Sequence, residues 1–296
     1  MNIILAEELR VQLQDVQLID VRLETDFVIS HLPGALSNCV FEIGFIDGIR
    51  GIVPDQSQAI CVYGVDEESH EARMAAEKLI RAGYQNVSEF RGGITAWKKG
   101  GLPTEGSDTS SEGSIKANTG VRALRLDECQ IDWTGRNSGS KHWGRLQLKS
   151  GELRFDEGRL VEGEMEIDMN SITNLNLEDG PMRGVLEDHL KSDDFFDVER
   201  FPSASIKLLS TESIPDACKG LPNLRVRCQL TMKGISNELE FLAATGVNGD
   251  GHWTAQANFD FDRTKWDVIY GSGRFFRNLG MHLVNDLISV ELKLVV

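Results

Sequence analysis

From Gly120 to the C-terminus, apolar side chains recur at every second position. Met165, Ile167 and Met169 alternate with Glu164, Glu166 and Asp168. Leu224, Val226, Cys228 and Leu230 alternate with Arg225, Arg227, Gln229 and Thr231. Leu124 with Leu126, Leu146 with Leu148, Leu153 with Phe155, and Leu239 with Phe241 repeat the pattern. So do Ala255, Ala257, Phe259 and Phe261, and then Val290, Leu292, Leu294 and Val296. A period of two belongs to strands with one apolar and one wet face; a helix would repeat every three or four residues. With Ser203–Leu209 included, eight or more strands are expected, and one-sided strands pair antiparallel. Asp156-Glu157-Gly158 and Asn248-Gly249-Asp250-Gly251 supply turns between them. Alternation alone fits a sandwich or a barrel, and a barrel interior either filled or hollow. Ala255 and Ala257 leave room inside. Met182–Phe196 breaks the rhythm as a short helix near Gly184–Leu190, placed like a lid on one end.

The first hundred residues have another texture. Gln17–Val21 reads as a short strand. Ala59–Tyr63 (AICVY) is a continuous apolar run, as in a strand covered on both faces. Glu71–Ala82 follows as a helix whose Ala72, Ala75, Ala76, Leu79 and Ile80 form one stripe, with Gly83 ending it. Asn86–Phe90 is another strand and Gly92–Lys98 another helix. Strand alternating with helix predicts a parallel α/β sheet with its site beyond the strand C-termini, at the loop Gly64–His70. Residues 105–120, rich in Gly, Ser, Thr and acids, have the composition of a linker. The expected domains are therefore 1–104 and 121–296.

The chain of 296 residues carries a net charge of −15. Such an acidic chain lacks the Lys and Arg surplus that nucleic-acid backbones or anionic lipid surfaces require. No apolar run is long enough to span a bilayer, and no leader pattern precedes the first strand, so a cytoplasmic location is the expectation. Cys39, Cys61, Cys129, Cys218 and Cys228 are scattered without metal-ligand spacing and are read as free thiols. No metal site and no cofactor are expected. Arg263, Lys265, Arg274 and Arg277 are expected to pair at the surface or rim with Asp260, Asp262 and Asp267.

Two segments carry resemblances. LIDVRLETDFVISHLPGALSN (18–38) and FRGGITAWKKGGLP (90–103), flanking AICVYG, resemble the opening and closing signatures of rhodanese-like domains. The resemblance implies a five-stranded parallel sheet with helices on both faces. It also implies a catalytic Cys directly after the central strand, with loop N–H groups and a following Arg cradling an anion. Here the Cys position is Gly64, and the basic position is Val65 or Ser69. Cys61 lies inside the apolar strand, so the loop Gly64, Val65, Asp66, Glu67, Glu68, Ser69 and His70 is read as catalytically degenerate. Ser69 and His70 are adjacent and do not face each other. Asp20, Arg22, His31, Pro33 and Gly34 are read as structural, through salt bridging and turn formation.

HLKSDDFFDVERFPSASIKL (189–208), LTMKGISNELEF (230–241) and FDFDRTKWDVIYGSGRFFRNLG (259–280) resemble YceI-like proteins, in order, over roughly 122–296. This implies an antiparallel lipocalin-like barrel around an apolar tunnel for polyisoprenoid, quinone-like or acyl chains. The candidate ligand-lining residues are Leu146, Leu148, Met165, Ile167, Met169, Val226, Cys228, Leu230, Phe259 and Phe261. Phe195, Phe196, Phe275 and Phe276, with Trp143, are candidates for the mouth. The expected function is lipid binding or carriage, with the first domain as an interaction module for a protein partner. A sulfurtransferase-related enzyme and a scaffold with a filled barrel are the alternatives.

Overall fold

The computed structural model describes residues 2–107 and 119–296. Most of the expected linker, 108–118, lies outside the described residues. The chain divides into two compact units, Met1–Gly113 and Ser114–Val296.

The first unit runs β1 (Asn2–Ile4), α1 (Ala6–Gln12), β2 (Gln17–Asp20), α2 (Glu24–Ile29), β3 (Leu36–Ser37), α3 (Phe45–Ile52), β4 (Ile60–Tyr63), α4 (Glu71–Arg81), β5 (Val87–Phe90) and α5 (Gly93–Lys99). Its strands form one parallel sheet in the order β1-β5-β4-β2-β3. The apolar run of β4 is explained by burial on both faces. Ile60 and Val62 pack with Phe45, Ile49, Ala75, Ala76 and Leu79 of α3 and α4. Cys61 and Tyr63 pack on the other face with Leu9, Ile94 and Trp97 of α1 and α5. α4 ends as its Gly signal predicts. Gly83, at φ +100°, donates to Ile80 O, and Tyr84 N reaches back to Leu79 O.

The closing signature is held by two further constraints. Gly93 has φ +57°, and a Cβ there would lie 2.5 Å from Val65 O, so no side chain fits. Trp97 is fully buried and its Nε1–H donates to Pro103 O at 2.8 Å, which ties the end of the domain back to α5.

The second unit comprises β6 (Gly120–Ala123), β7 (Gln130–Arg136), β8 (Lys141–Asp156), β9 (Arg159–Asn174), α6 (Pro181–Lys191), β10 (Ser203–Ser213), β11 (Leu224–Met232), β12 (Ile235–Val247), β13 (Trp253–Asp262) and β14 (Leu287–Val295). All pairings are antiparallel. Eight strands run in the order β8-β7-β14-β13-β12-β11-β10-β9, and β9 returns to β8 to close the ring. Closure satisfies every inter-strand edge within the ring, which settles barrel over sandwich. Long β8 pairs with β7 near its start and with β6 near its end. Two hairpins use paired left-handed residues, Glu157-Gly158 and Lys233-Gly234.

Some expectations need correction. Leu124 and Leu126 follow β6 rather than sitting in a strand, and Leu126 is exposed. The helix over the barrel end is longer than expected, beginning at Pro181. Arg263 is not at the surface: it is 1% exposed, in a 3-10 turn (Arg263–Trp266).

Candidate functional site

The barrel interior contains two cavities. The larger, of about 200 Å³, is lined by inward residues of the strands, by Leu186 and Leu190 of α6, and by Phe195 and Phe196 just after it. Its body is hydrocarbon and aromatic: Ile131, Trp133, Leu146, Ile167, Met169, Leu230, Leu239, Phe259, Phe261, Val290 and Leu292. Polar residues gather where β7 turns into β8, namely Arg136, Asn137, Ser140 and His142. The smaller cavity, of about 50 Å³, is lined by apolar residues that include Leu153, Met165, Val226, Cys228, Phe241, Ala255 and Ala257. The apolar body of this lining offers a methylene or isoprene chain burial at about 0.8 kcal/mol per CH₂, with charge confined to Arg136 and Arg263.

Of the candidate lining and mouth residues, Leu146, Ile167, Met169, Phe195, Phe196, Leu230, Phe259 and Phe261 line the larger cavity. Met165, Val226 and Cys228 line the smaller one. Leu148 lines neither; it packs half-buried against the barrel core, in a stretch of β8 where bulges shift the register. Phe275 and Phe276 also line neither, being 53% and 44% exposed in the loop before β14. Trp143 is exposed beside Lys141, whose ammonium lies 5.0 Å from its ring centre. Ile131, Trp133, Ala204, Ile206 and Leu292 also line the larger cavity. The first two sit on β7, where Asp132 and Thr134 alternate with them, a short signal that the alternation reading passed over.

One end of the larger cavity is fastened by Arg263. Its guanidinium donates to Asn285 O at 3.0 Å, Val268 O at 2.5 Å and Val284 O at 3.1 Å. Asp286 stands at 3.9 Å, and the guanidinium lies 6.0 Å from the ring centre of Phe195. Burial pulls the Arg263 pKa down, with Asp286 and Asp262 opposing. Phe195 in turn packs on Tyr270 and His189, so the segment after α6 is anchored to the loop that Arg263 holds. Arg274, as expected, pairs with Asp262 at 3.0 Å; it also reaches Asp286 at 3.4 Å.

In the first unit, the loop after β4 is closed by its own acids. The Glu71 carboxylate, buried at the start of α4, accepts Val65 N–H at 2.8 Å. Asp66 accepts the N–H groups of Glu68 and Ser69, both at 3.0 Å. A Cβ on Gly64 would fall 2.5 Å from Glu71 Cγ. Loop donors are thus held by carboxylates of the chain itself. Ile94 and Thr95 of α5 donate to the carbonyls of Gly64 and Val65, each at 3.0 Å. Val65, Glu67, Glu68 and His70 are exposed, and Ser69 is half-buried. Asp20 and Arg22 do form a buried pair, with Nη2–Oδ2 at 2.5 Å, and Arg22 also donates to Ser30 O at 2.7 Å.

Cys61 is fully buried, and burial pushes its thiol up to about 12. Its ionisation is therefore suppressed in the folded state. The stabilisation this gives is complete below the ordinary thiol range and is lost as pH rises toward 12. Cys218 is exposed. At pH 8, iodoacetamide is expected to alkylate Cys218 within minutes and to leave Cys61 unmodified until the protein is unfolded, as read by peptide mass spectrometry. Equal labelling of the two in folded protein would refute the burial argument.

Among the described residues, no group of three or more His, Cys, Asp or Glu is placed to hold a metal ion. No helix among them is long and apolar enough to cross a membrane.

Comparison with known proteins fits this geometry to a family. The YceI-like domain profile matches residues 123–296, more than half of the chain. The chain belongs to the YceI-like family. Ahead of its YceI-like barrel it carries a rhodanese-like domain, matched over residues 5–100. Over 83 residues the chain is 39% identical to the adenylyltransferase and sulfurtransferase UBA4 of Candida albicans, covering 27% of this chain and 19% of that one. Over 112 residues it is 31% identical to a UPF0312 protein of Shewanella denitrificans, covering 37% of this chain and 52% of that one. The chain therefore spans less than two thirds of either relative. Among solved structures, a polyisoprenoid binding domain from Saccharophagus degradans, implicated in plant cell wall breakdown, is similar. It shares 15% identity over 60% of this chain and 98% of that one, with a TM-score of 0.44.

Proposed function

We propose that the YceI-like barrel binds and carries an apolar chain of the isoprenoid, quinone-like or acyl class, and that the rhodanese-like domain is a non-catalytic module that engages a protein partner. The observation that carries the first half is the larger cavity, with its apolar body and its polar group at Arg136–His142. About ten buried methylenes contribute roughly 8 kcal/mol, against which the costs of association and ordering are set. The chain's tail lies among the strands, and a polar head sits by the turn between β7 and β8.

The second half is supported by three features. Gly64 stands where a rhodanese nucleophile is expected, Cys61 is sealed in the core, and Glu71 fills the space beside Gly64. An exposed thiolate in a positive setting is what persulfide chemistry needs, and the loop offers acids instead. The free thiols suit a reducing compartment such as the cytoplasm.

The test is native mass spectrometry on freshly purified full-length chain, followed by organic extraction. A stoichiometric non-covalent adduct that extracts as a lipid is the expected result. A bare polypeptide that also fails to take up saturable amounts of a polyisoprenyl or acyl probe would overturn the carrier reading. Transfer of sulfur from thiosulfate to cyanide, abolished by Cys61→Ala, would overturn the non-catalytic reading of the first domain.

A further inference from the structure

We propose that Ile206 and Leu292 form a gate between the two cavities and so set the length of chain the barrel accepts; this rests on the carrier reading above. The two cavities share these two residues, each of which lines both. Ile206 lies on β10 and Leu292 on β14. In the eight-membered ring these strands stand four places apart in either direction, on opposite walls. Two branched aliphatic side chains reaching inward from opposite walls narrow the bore between them, and that is where one cavity ends and the other begins.

The register indicates how the gate opens. Leu292 is paired across the ladder with Ala257 of β13, and Ala257 lines the smaller cavity alone. A methyl beside a leucine leaves space into which the leucine rotates. The movement needs only a side-chain rotation, with no ladder hydrogen bond broken. On the other wall Ile206 is flanked by Met165 and Leu230, which leave no comparable space. Leu292 is thus the moving member and Ile206 the fixed one. A chain entering past the polar group at Arg136–His142 fills the larger cavity first and meets the pair at its far end. Short chains stop there. Longer ones continue into the smaller apolar cavity only by displacing Leu292.

The experiment measures the affinity of the full chain for saturated fatty acids of increasing length, by displacement of a fluorescent acyl probe. In the unaltered protein, affinity is expected to rise with each methylene and then level off where the chain meets the gate. In Ile206→Ala and in Leu292→Ala the levelling point moves to longer chains. Each methylene newly admitted tightens binding about fourfold. Ala257→Leu, which fills the space beside Leu292, moves the levelling point the other way or sharpens it. If an alanine variant does not fold, Ile206→Val gives a smaller displacement in the same direction.

A folded variant with an unmoved levelling point overturns the gate and leaves the carrier reading intact. Failure of the unaltered protein to bind any fatty acid or polyisoprenyl chain overturns both.

Discussion

Replacing Asp20 with alanine is expected to cost the first domain about 3–5 kcal/mol, the size of effect seen when one partner of a buried ion pair is removed. Asp20 is fully buried and Arg22 nearly so. The carboxylate receives Arg22 Nε at 2.9 Å, Nη2 at 2.5 Å and the Arg22 backbone N–H at 3.0 Å. Without it, the guanidinium keeps Ser30 O, the face of Tyr63 at 5.9 Å from the ring centre, and the more distant charge of Asp26. Tyr63 OH in turn accepts Leu32 N–H, so the segment after α2 loosens as well. Native-state hydrogen exchange on the full chain, resolved by peptide, separates this domain from the barrel. Protection of β4 should fall by the stated amount while β11 keeps its own. A loss under 1 kcal/mol, or one spread equally over both domains, would contradict the assignment of Asp20 as the local anchor.

Arg263→Ala is expected to have an effect of similar size in the barrel, roughly 3–5 kcal/mol, because several buried acceptors lose a charged donor together. Three carbonyls, of Asn285, Val268 and Val284, are left without that donor. Arg274 still offsets part of the Asp286 charge. Arg263→Lys should recover only part of the loss, since a single ammonium does not reproduce a planar fork of donors. Exchange should rise in the loop before β14 and around Phe195, whose ring lies under the guanidinium. Unchanged protection there would mean that the loop holds its position without Arg263.

The architecture was legible where local chemistry coincides with the fold. The stripe of α4 with its terminal glycine, the doubly buried β4 and the turns at 156–158 and 248–251 all announce themselves within a few residues. β7 did not, because only Ile131 and Trp133 mark it and polar residues surround them. Arg263 was misplaced for a different reason. Alternation pushes a charged residue outward, yet its acceptors at 284–285 arrive from a returning loop some twenty residues later in the chain. Leu148 follows the alternation and still misses both cavities, because bulges in β8 interrupt the register. The pairing of Ile206 with Leu292 required the ring order itself, since residues on opposite walls are never neighbours in a ladder.

The two cavities also bear on how the barrel responds to hydrostatic pressure. Unfolding abolishes internal voids and lowers the total volume, so compression favours the unfolded barrel in proportion to the space left empty. The apolar body of the cavities offers water few partners, so water cancels little of that difference. A chain lodged among the strands removes void without adding a covalent bond. Resistance to compression in the barrel therefore tracks how much of its bore is occupied, whatever head group the occupant carries.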